Sequence, residues 1–326
     1  MRTASFTPSA STDAGPEEVT RSKSRESRPL DLTGRAVLLA TDGSPGAIAA
    51  ARVADGLART HHAVVHVVSV VDTRSAPIPP PIDVALAMGD AIAGTELHRE
   101  QERAVRAELS GALGAEVSWP VRIMLGSPAT AIAQEAHHLG AVLVVLGLRR
   151  HNRLDRAVHD ETTLNVMRNA GCPVLGVVAG MSDLPRRVLS ALDFSEGSVI
   201  AVRTGQALVS PGAVLVLAYV HPMSGFLVDE GESHIHDYGV QAGFAKLTTE
   251  LGREGVRFDH VVLHHAPTQG PAQTLLEYAD DIGADLITAG SVQHSRLDRW
   301  MVGSVSAELV RDGRRSVLIV PPLTRR

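Results

Sequence analysis

An α/β fold of two tandem, doubly wound parallel sheets is predicted from three observations. Short apolar runs alternate with helical segments along the chain, the pattern of a parallel sheet covered by helices. The hydrophobic fraction of 44% is almost all Ala, Val, Leu and Ile, because aromatics are only 3%, and such aliphatic strands suit burial on both faces. The second half then repeats the landmarks of the first. A length of 326 residues also exceeds the roughly 100–200 typical of one domain.

Residues 1–33 are rich in Ser, Thr, Pro, Glu and Arg, a composition that buries too little apolar surface to offset chain entropy, so a disordered tail is expected there. Order is expected to begin with the apolar run Arg35 to Ala40, a buried strand that leads into Thr41-Asp42-Gly43-Ser44-Pro45. Ala47 to Arg59 has helical spacing and Ala63 to Val71 is β-branched, which completes a βαβ unit. The Pro-rich stretch Ala76 to Pro81 precedes a helix expected from about Val84 to Leu113. A strand at Ser118–Met124, a helix at Pro128–His138, a strand at Ala141–Leu146, a helix at Thr162–Asn169 and a strand at Val174–Val178 close a first domain, 34–180. Gly180, Ser182, Asp183 and Pro185 break the pattern and mark a linker, after which a second domain spans 185–326.

The repeat is specific. Arg187-Val188-Leu189-Ser190-Ala191-Leu192-Asp193 restates the first strand with its terminal Asp, so Asp42 and Asp193 correspond. Gly147 through His151 and Arg153-Leu154-Asp155-Arg156 return as Gly290 through His294 and Arg296-Leu297-Asp298-Arg299, every landmark 143 positions on.

Composition excludes several classes of partner. A net charge of −5 and a pI near 6.3 give no basic footprint, so neither nucleic acid nor an anionic membrane surface is expected as a partner. Cys172 is the lone cysteine, which rules out an intrachain disulfide and fits a reducing, cytoplasmic home; its position before a strand suggests packing. The histidine pairs His61-His62, His137-His138 and His264-His265 and the His234-x-His236 string lack the ligand spacing of a metal site, and none is expected. The repeated Arg residues near Asp155 and Asp298 are expected to form ion pairs. No catalytic constellation is legible, so an enzyme is not expected.

In doubly wound sheets ligands lie beyond the carboxyl ends of the strands at the switch point. That rule selects Asp42 and Asp193 after each first strand, and Gly147 and Gly290 after each fourth. In the second half Gly290-Ser291-Val292-Gln293 is followed by nine residues and then by Gly303-Ser304-Val305-Ser306 opening a helix. Glycines let backbone amides approach phosphate oxygens, and the unpaired N–H groups of a helix start attract anions.

On these residues the chain resembles the universal stress protein family, whose ATP-binding members carry Gly, two residues, Gly, nine residues, then Gly followed by Ser or Thr. The resemblance extends to Asp42-Gly43-Ser44, Asp193-Phe194-Ser195 and Cys172-Pro173-Val174-Leu175, and covers both halves. It implies two Rossmann-like domains of the adenine nucleotide α hydrolase type. It implies ATP as cofactor, with or without magnesium, held in the second domain by Gly290, Gln293, Gly303, Ser304 and Val305, with Asp193 at the adenine and ribose end and stress response or signalling as the role. Gln293 stands where the family has its second glycine. The first half departs further, with Arg150 at that place and Asp160 and Glu161 for the Gly-Ser pair. Two carboxylates at a helix start would compete for its amides, so Asp42 and Gly147 are expected to belong to a cleft that holds triphosphate poorly or not at all.

Two alternatives stay open on the residues alone. Gly290, Gly303 and Ser304 would serve equally as turn and cap residues of a fold without a ligand, and Asp42 and Asp193 as helix caps or turn-shaping residues. The chain would then be an interaction scaffold. The resemblance also implies pairing through the closing strands, Val174–Val178 and Val317–Val320, within one chain as a pseudo-dimer or between two chains as a homodimer.

Overall fold

A computed structural model describes residues 30–72, 96–148, 156–221, 230–252, 255–264, 268–291 and 302–322. The first half runs β1 (Ala36–Thr41), α1 (Pro45–His61), β2 (Val64–Asp72), α2 (Glu96–Leu113), β3 (Val121–Gly126), α3 (Pro128–Leu139), β4 (Leu143–Leu148), α4 (Arg156–Asn169) and β5 (Val174–Val178). The second repeats this as β6 (Arg187–Ala191), α5 (Glu196–Gln206), β7 (Val214–His221), α6 (Glu230–Leu251), β8 (Arg257–His264), α7 (Pro271–Asp281), β9 (Leu286–Gly290), α8 (Ser304–Asp312) and β10 (Ser316–Val320).

All ten strands form one sheet in the order β3-β2-β1-β4-β5-β10-β9-β6-β7-β8. Pairing is parallel within each half. The halves meet where β5 and β10 pair antiparallel, with Val317 opposite Gly176 and Ile319 opposite Val174. The closing strands therefore pair inside the chain, and each half's last strand has neighbours on both sides.

That seam is buried. Leu175, Val177, Val317 and Leu318 have no exposed surface, each such side chain contributing about 1.5–3 kcal/mol of hydrophobic stabilisation. Ser316 is also fully buried, and its hydroxyl accepts from the Val178 amide at 3.2 Å.

Helices cover both faces. Val53 and Leu57 of α1, Leu109 of α2, Val202 of α5 and Phe244 of α6 pack on one, and Ile132 of α3, Leu164 of α4, Leu275 of α7 and Leu309 of α8 on the other. Helix ends follow local chemistry: Ser44 and Ser195 cap α1 and α5 by accepting from Ala47 and Ser198, and Gly140 and Gly313 end α3 and α8 in the left-handed region.

Three expectations move. Leu32 is 3% exposed and Leu30 packs beside it, so ordered chain begins before residue 34; residues 1–29 lie outside the described set, as does 84–95 of the predicted long helix. Leu184, inside the predicted linker, is 4% exposed and presses on Gly56 of α1, so this connection is packed rather than loose. And α4 starts at Arg156 rather than Thr162, with a consequence for the first cleft. No helix among the described residues is long and apolar enough to cross a membrane.

Candidate functional site

Each half has its switch point between adjacent parallel strands, β1 and β4 in the first and β6 and β9 in the second, so the loops after them share one end of the sheet. The Asp residues sit in the first of these loops. Asp42 Oδ1 accepts from the Ser44 amide at 3.0 Å and Asp193 Oδ1 from the Ser195 amide at 2.9 Å. They shape the turn, and the helix caps are the serines that follow. The turn places its second residue in the left-handed region, Gly43 at φ 74° and Phe194 at φ 61°, a conformation that costs a non-glycine residue roughly 1 kcal/mol or more.

Asp193 is exposed. Burial of its surroundings would raise its pKa, but hydrogen bonds from Ser195 and Ser198 outweigh this and hold the carboxyl below its usual range. It is therefore an ionised acceptor with lone pairs to spare. In the first half Glu108 of α2 reaches the turn: a Cβ at Gly43 would lie 2.9 Å from its Oε2. Burial, then the charge of Asp42, push the Glu108 carboxyl up. In the second half the wedge is filled from the other side, with the Phe194 ring lying over Gly243 of α6.

Gly147 and Gly290 occupy matching contacts. A Cβ on Gly147 would lie 2.4 Å from the backbone of Gly46 and Ala47, and one on Gly290 2.7 Å from that of Gly197. Both glycines let the end of the fourth strand touch the first turn of the helix that follows the first strand, α1 or α5, which is a packing demand of the fold itself.

Beyond that contact the clefts diverge. In the second half Ser306 Oγ donates to the Gly290 carbonyl at 3.2 Å, bringing the first turn of α8 against the end of β9. Gly303 is the N-cap of α8 with no side-chain cap, and the first backbone bond of the helix runs from Ala307 to Gly303. The amides of Ser304, Val305 and Ser306 thus have no intrahelical acceptor. Next to Gly290, the Ser291 hydroxyl is buried without a hydrogen-bond partner among the described residues, which costs about 1–3 kcal/mol unless something satisfies it. Gln293 lies outside the described residues. Ser291 was not singled out from the sequence, although a Ser directly after the strand glycine at the switch point was a readable signal.

In the first half the Ser291 position is Leu148, 4% exposed and packed on Gly176. Asp160 and Glu161, expected at a helix start, lie inside α4, because that helix begins at Arg156. Ser304 corresponds to Glu161, so α4 starts five residues earlier than α8, an extension of about 7.5 Å. The amides at the positions matching the start of α8 are therefore taken up in helix bonds, a feature of the first cleft that the sequence did not foresee. Arg150, Arg153, Asp155, Arg296, Asp298 and Arg299, with their predicted ion pairs, lie outside the described residues.

Cys172 is buried, and burial pushes its thiol up to about 12, a backbone hydrogen bond from Val144 opposing. His137 Nε2 contacts the Asn169 carbonyl at 2.9 Å. Among the described residues no group of three His, Cys, Asp or Glu is arranged to hold a metal.

Comparison with known proteins adds the following. The chain matches the universal stress protein family twice, over residues 34–177 and 185–321. A universal stress protein from Archaeoglobus fulgidus superposes with a TM-score of 0.61 at 18% identity, covering 88% of this chain and 98% of that one. A putative universal stress protein from Pseudomonas aeruginosa does so with a TM-score of 0.54 at 16% identity, covering 88% and 93%. These likenesses concern the fold. No curated protein matches the chain.

Proposed function

Because the chain belongs to the universal stress protein family, we propose that its second half binds an adenine nucleotide, ATP with or without magnesium, and that it senses or sequesters this nucleotide in stress response or signalling rather than turning it over. The observation that carries the reading is the buried, unpartnered Ser291 hydroxyl beside Gly290, set against the open N-terminus of α8 at Gly303, Ser304 and Val305. Three amides without an intrahelical acceptor and one hydroxyl without a partner among the described residues, at the same end of the sheet, are donors suited to phosphate oxygens. Asp193, one strand over, is ionised and suited to accept from ribose hydroxyls. Among its described residues the first half, with Leu148 and an extended α4, offers none of these donors at the matching positions, so one site per chain is expected.

The competing reading is a scaffold without ligand, built on the sheet that runs unbroken through the β5–β10 seam. The two are separated by denaturing purified protein, identifying any released nucleotide by mass spectrometry, and titrating ATP, AMP and cyclic AMP into the emptied chain. The decisive variant is Gly303→Asp. Gly303 has φ −59° and ψ 161°, a backbone any residue adopts, and Asp is a good N-cap, so the helix stays while the charge repels phosphate. ATP affinity should fall by more than about 100-fold, roughly 2.7 kcal/mol. Unchanged affinity would remove the loop from the site, and no binding at millimolar ATP by the parent chain would leave the scaffold.

A further inference from the structure

The two outer margins of the sheet, β3 with β2 and β8 with β7, differ at one pair of positions. β7 and β8 run parallel and end with His221 opposite His264. In the first half Val64 of β2 lies opposite Ala36, and in the second Val214 of β7 lies opposite Arg187, both six residues before the turn Asp. His221 therefore corresponds to Val71, whose partner on β3 is Leu125. Two imidazoles stand where the first half has two aliphatic side chains.

Register partners on neighbouring strands, about 4.8 Å apart, project to the same face. Here it is the face covered by α5 and α6, since Tyr219 and Val262, two residues earlier on each strand, pack there. The imidazoles of His221 and His264 are stacked, with centroids 5.3 Å apart and planes inclined by 24°. Tyr219 stands edge-on to His221 at 6.4 Å. His264 is exposed and His221 half-buried, so the pair meets solvent at the rim of the sheet. His260 shares this face of β8 but lies about 13 Å back along the strand, stacked on Phe244 at 4.7 Å. Packing does not call for the His pair, because an aliphatic pair fills the matching place in the first half.

We infer that His221 and His264 form a two-histidine site for a divalent transition ion, zinc(II), nickel(II) or copper(II), with water in the remaining positions. Imidazole nitrogen suits these ions, whereas magnesium and calcium take oxygen ligands. A tetrahedral zinc ion bound at about 2.0–2.1 Å needs its two nitrogens about 3.4 Å apart. Stacked rings at 5.3 Å reach that by turning about their side-chain torsions, and the exposed rim leaves room for it. Two protein ligands make an exchangeable site, unlike the closed four-ligand sites that hold structural zinc. Sequence spacing could not reveal it, because 43 positions separate the ligands and only the register of β7 with β8 joins them. The site shares no residue with the nucleotide reading, and β8 lies three strands from β9.

The test uses the full chain without nucleotide and zinc sulfate as the probe, followed by calorimetry and by the imidazole signals in NMR. Zinc should shift the His221 and His264 signals together, and magnesium should shift neither. His221→Ala and His264→Ala should each weaken this binding by at least the roughly 10-fold that changes behind a metal ligand cost. His138→Ala, which removes an exposed histidine elsewhere, should leave it unchanged. Saturating zinc should raise the melting temperature of the parent chain by binding the folded state, and raise it less in the two variants. Gly303→Asp should lose ATP and keep zinc, so either reading can fail without the other. A shift of only one of the two rings, undiminished binding by a folded His221→Ala or His264→Ala chain, or no binding at millimolar zinc would each overturn the proposal.

Discussion

The two halves of the chain share a strand order, a serine cap after the first strand and a glycine after the fourth, and differ where a ligand would touch them. Gly147 and Gly290 both sit against the first turn of a neighbouring helix, so the glycine survives in either half because the backbone contact demands it. What varies is the next residue, Leu148 against Ser291, and the start of the following helix, Arg156 against Ser304. The wedge between the first turn and the long helix is also filled differently, by Glu108 over Gly43 in one half and by Phe194 over Gly243 in the other. The lesson is that a motif glycine is a poor witness for a ligand, since the fold needs it regardless. The hydroxyl and the helix end are better ones, because packing needs neither.

The largest expected effect tests the shared part. Gly147→Ala puts a Cβ 2.4 Å from the α1 backbone, which cannot give way as a flexible side chain would, and should cost about 3 kcal/mol or more. Gly290→Ala, at 2.7 Å from the α5 backbone, should cost about 1–3 kcal/mol. Chemical denaturation followed in both variants checks this; a first half indifferent to Gly147→Ala would break the packing account of the motif.

A smaller effect tests the difference. Restoring the family's pair in the first half by Asp160→Gly with Glu161→Ser should create no second ATP site, because these positions lie inside α4 and their amides are already bonded. The exchange should cost about 1 kcal/mol for a helix-interior glycine. ATP stoichiometry of the double variant is the measurement. A rise from one to two per chain would show that the carboxylates, not the helix extension, close the first cleft.

How much of this was legible in the sequence follows from what periodicity can encode. The strands were readable because burial on both faces leaves runs such as Val37-Leu38-Leu39, and the tandem because a shift of 143 positions superposes two loops. Asp42, Asp193, Gly147 and Gly290 were placed correctly at strand ends by the switch-point rule. The local role of Asp was left between a helix cap and a turn-shaping acceptor, which look alike until the partner amide is known; the bonds put Asp42 and Asp193 in the turn and the caps at Ser44 and Ser195. The start of α4 was missed because its first turn, Arg156 to His159, carries no clear cap or apolar spacing. The Phe194 and Glu108 wedges depend on which long-helix residue meets the turn, which only tertiary packing decides.

Those wedges give the smallest and most discriminating prediction, since their carboxylates should titrate with opposite sign. Glu108 is raised above its ordinary 4.5 by burial and then by Asp42. The unfolded chain therefore loses this proton first, and stability falls as pH rises from about that value through the raised one. Asp193 is lowered below 3.8, the hydrogen bonds of Ser195 and Ser198 outweighing burial. Its contribution is present above 3.8 and disappears as pH falls through the lowered value. Glu108→Gln should thus raise the melting temperature at pH 7 and do little at pH 3, and Asp193→Asn should lower it at pH 7 and do less at pH 3. Both carboxylates are partly exposed and screened, so shifts of about 1–2 °C are expected. Same-direction shifts at pH 7 would mean that Glu108 finds a compensating donor when folded. The first wedge would then be a satisfied polar contact rather than a strained one, and the two halves would differ in shape alone.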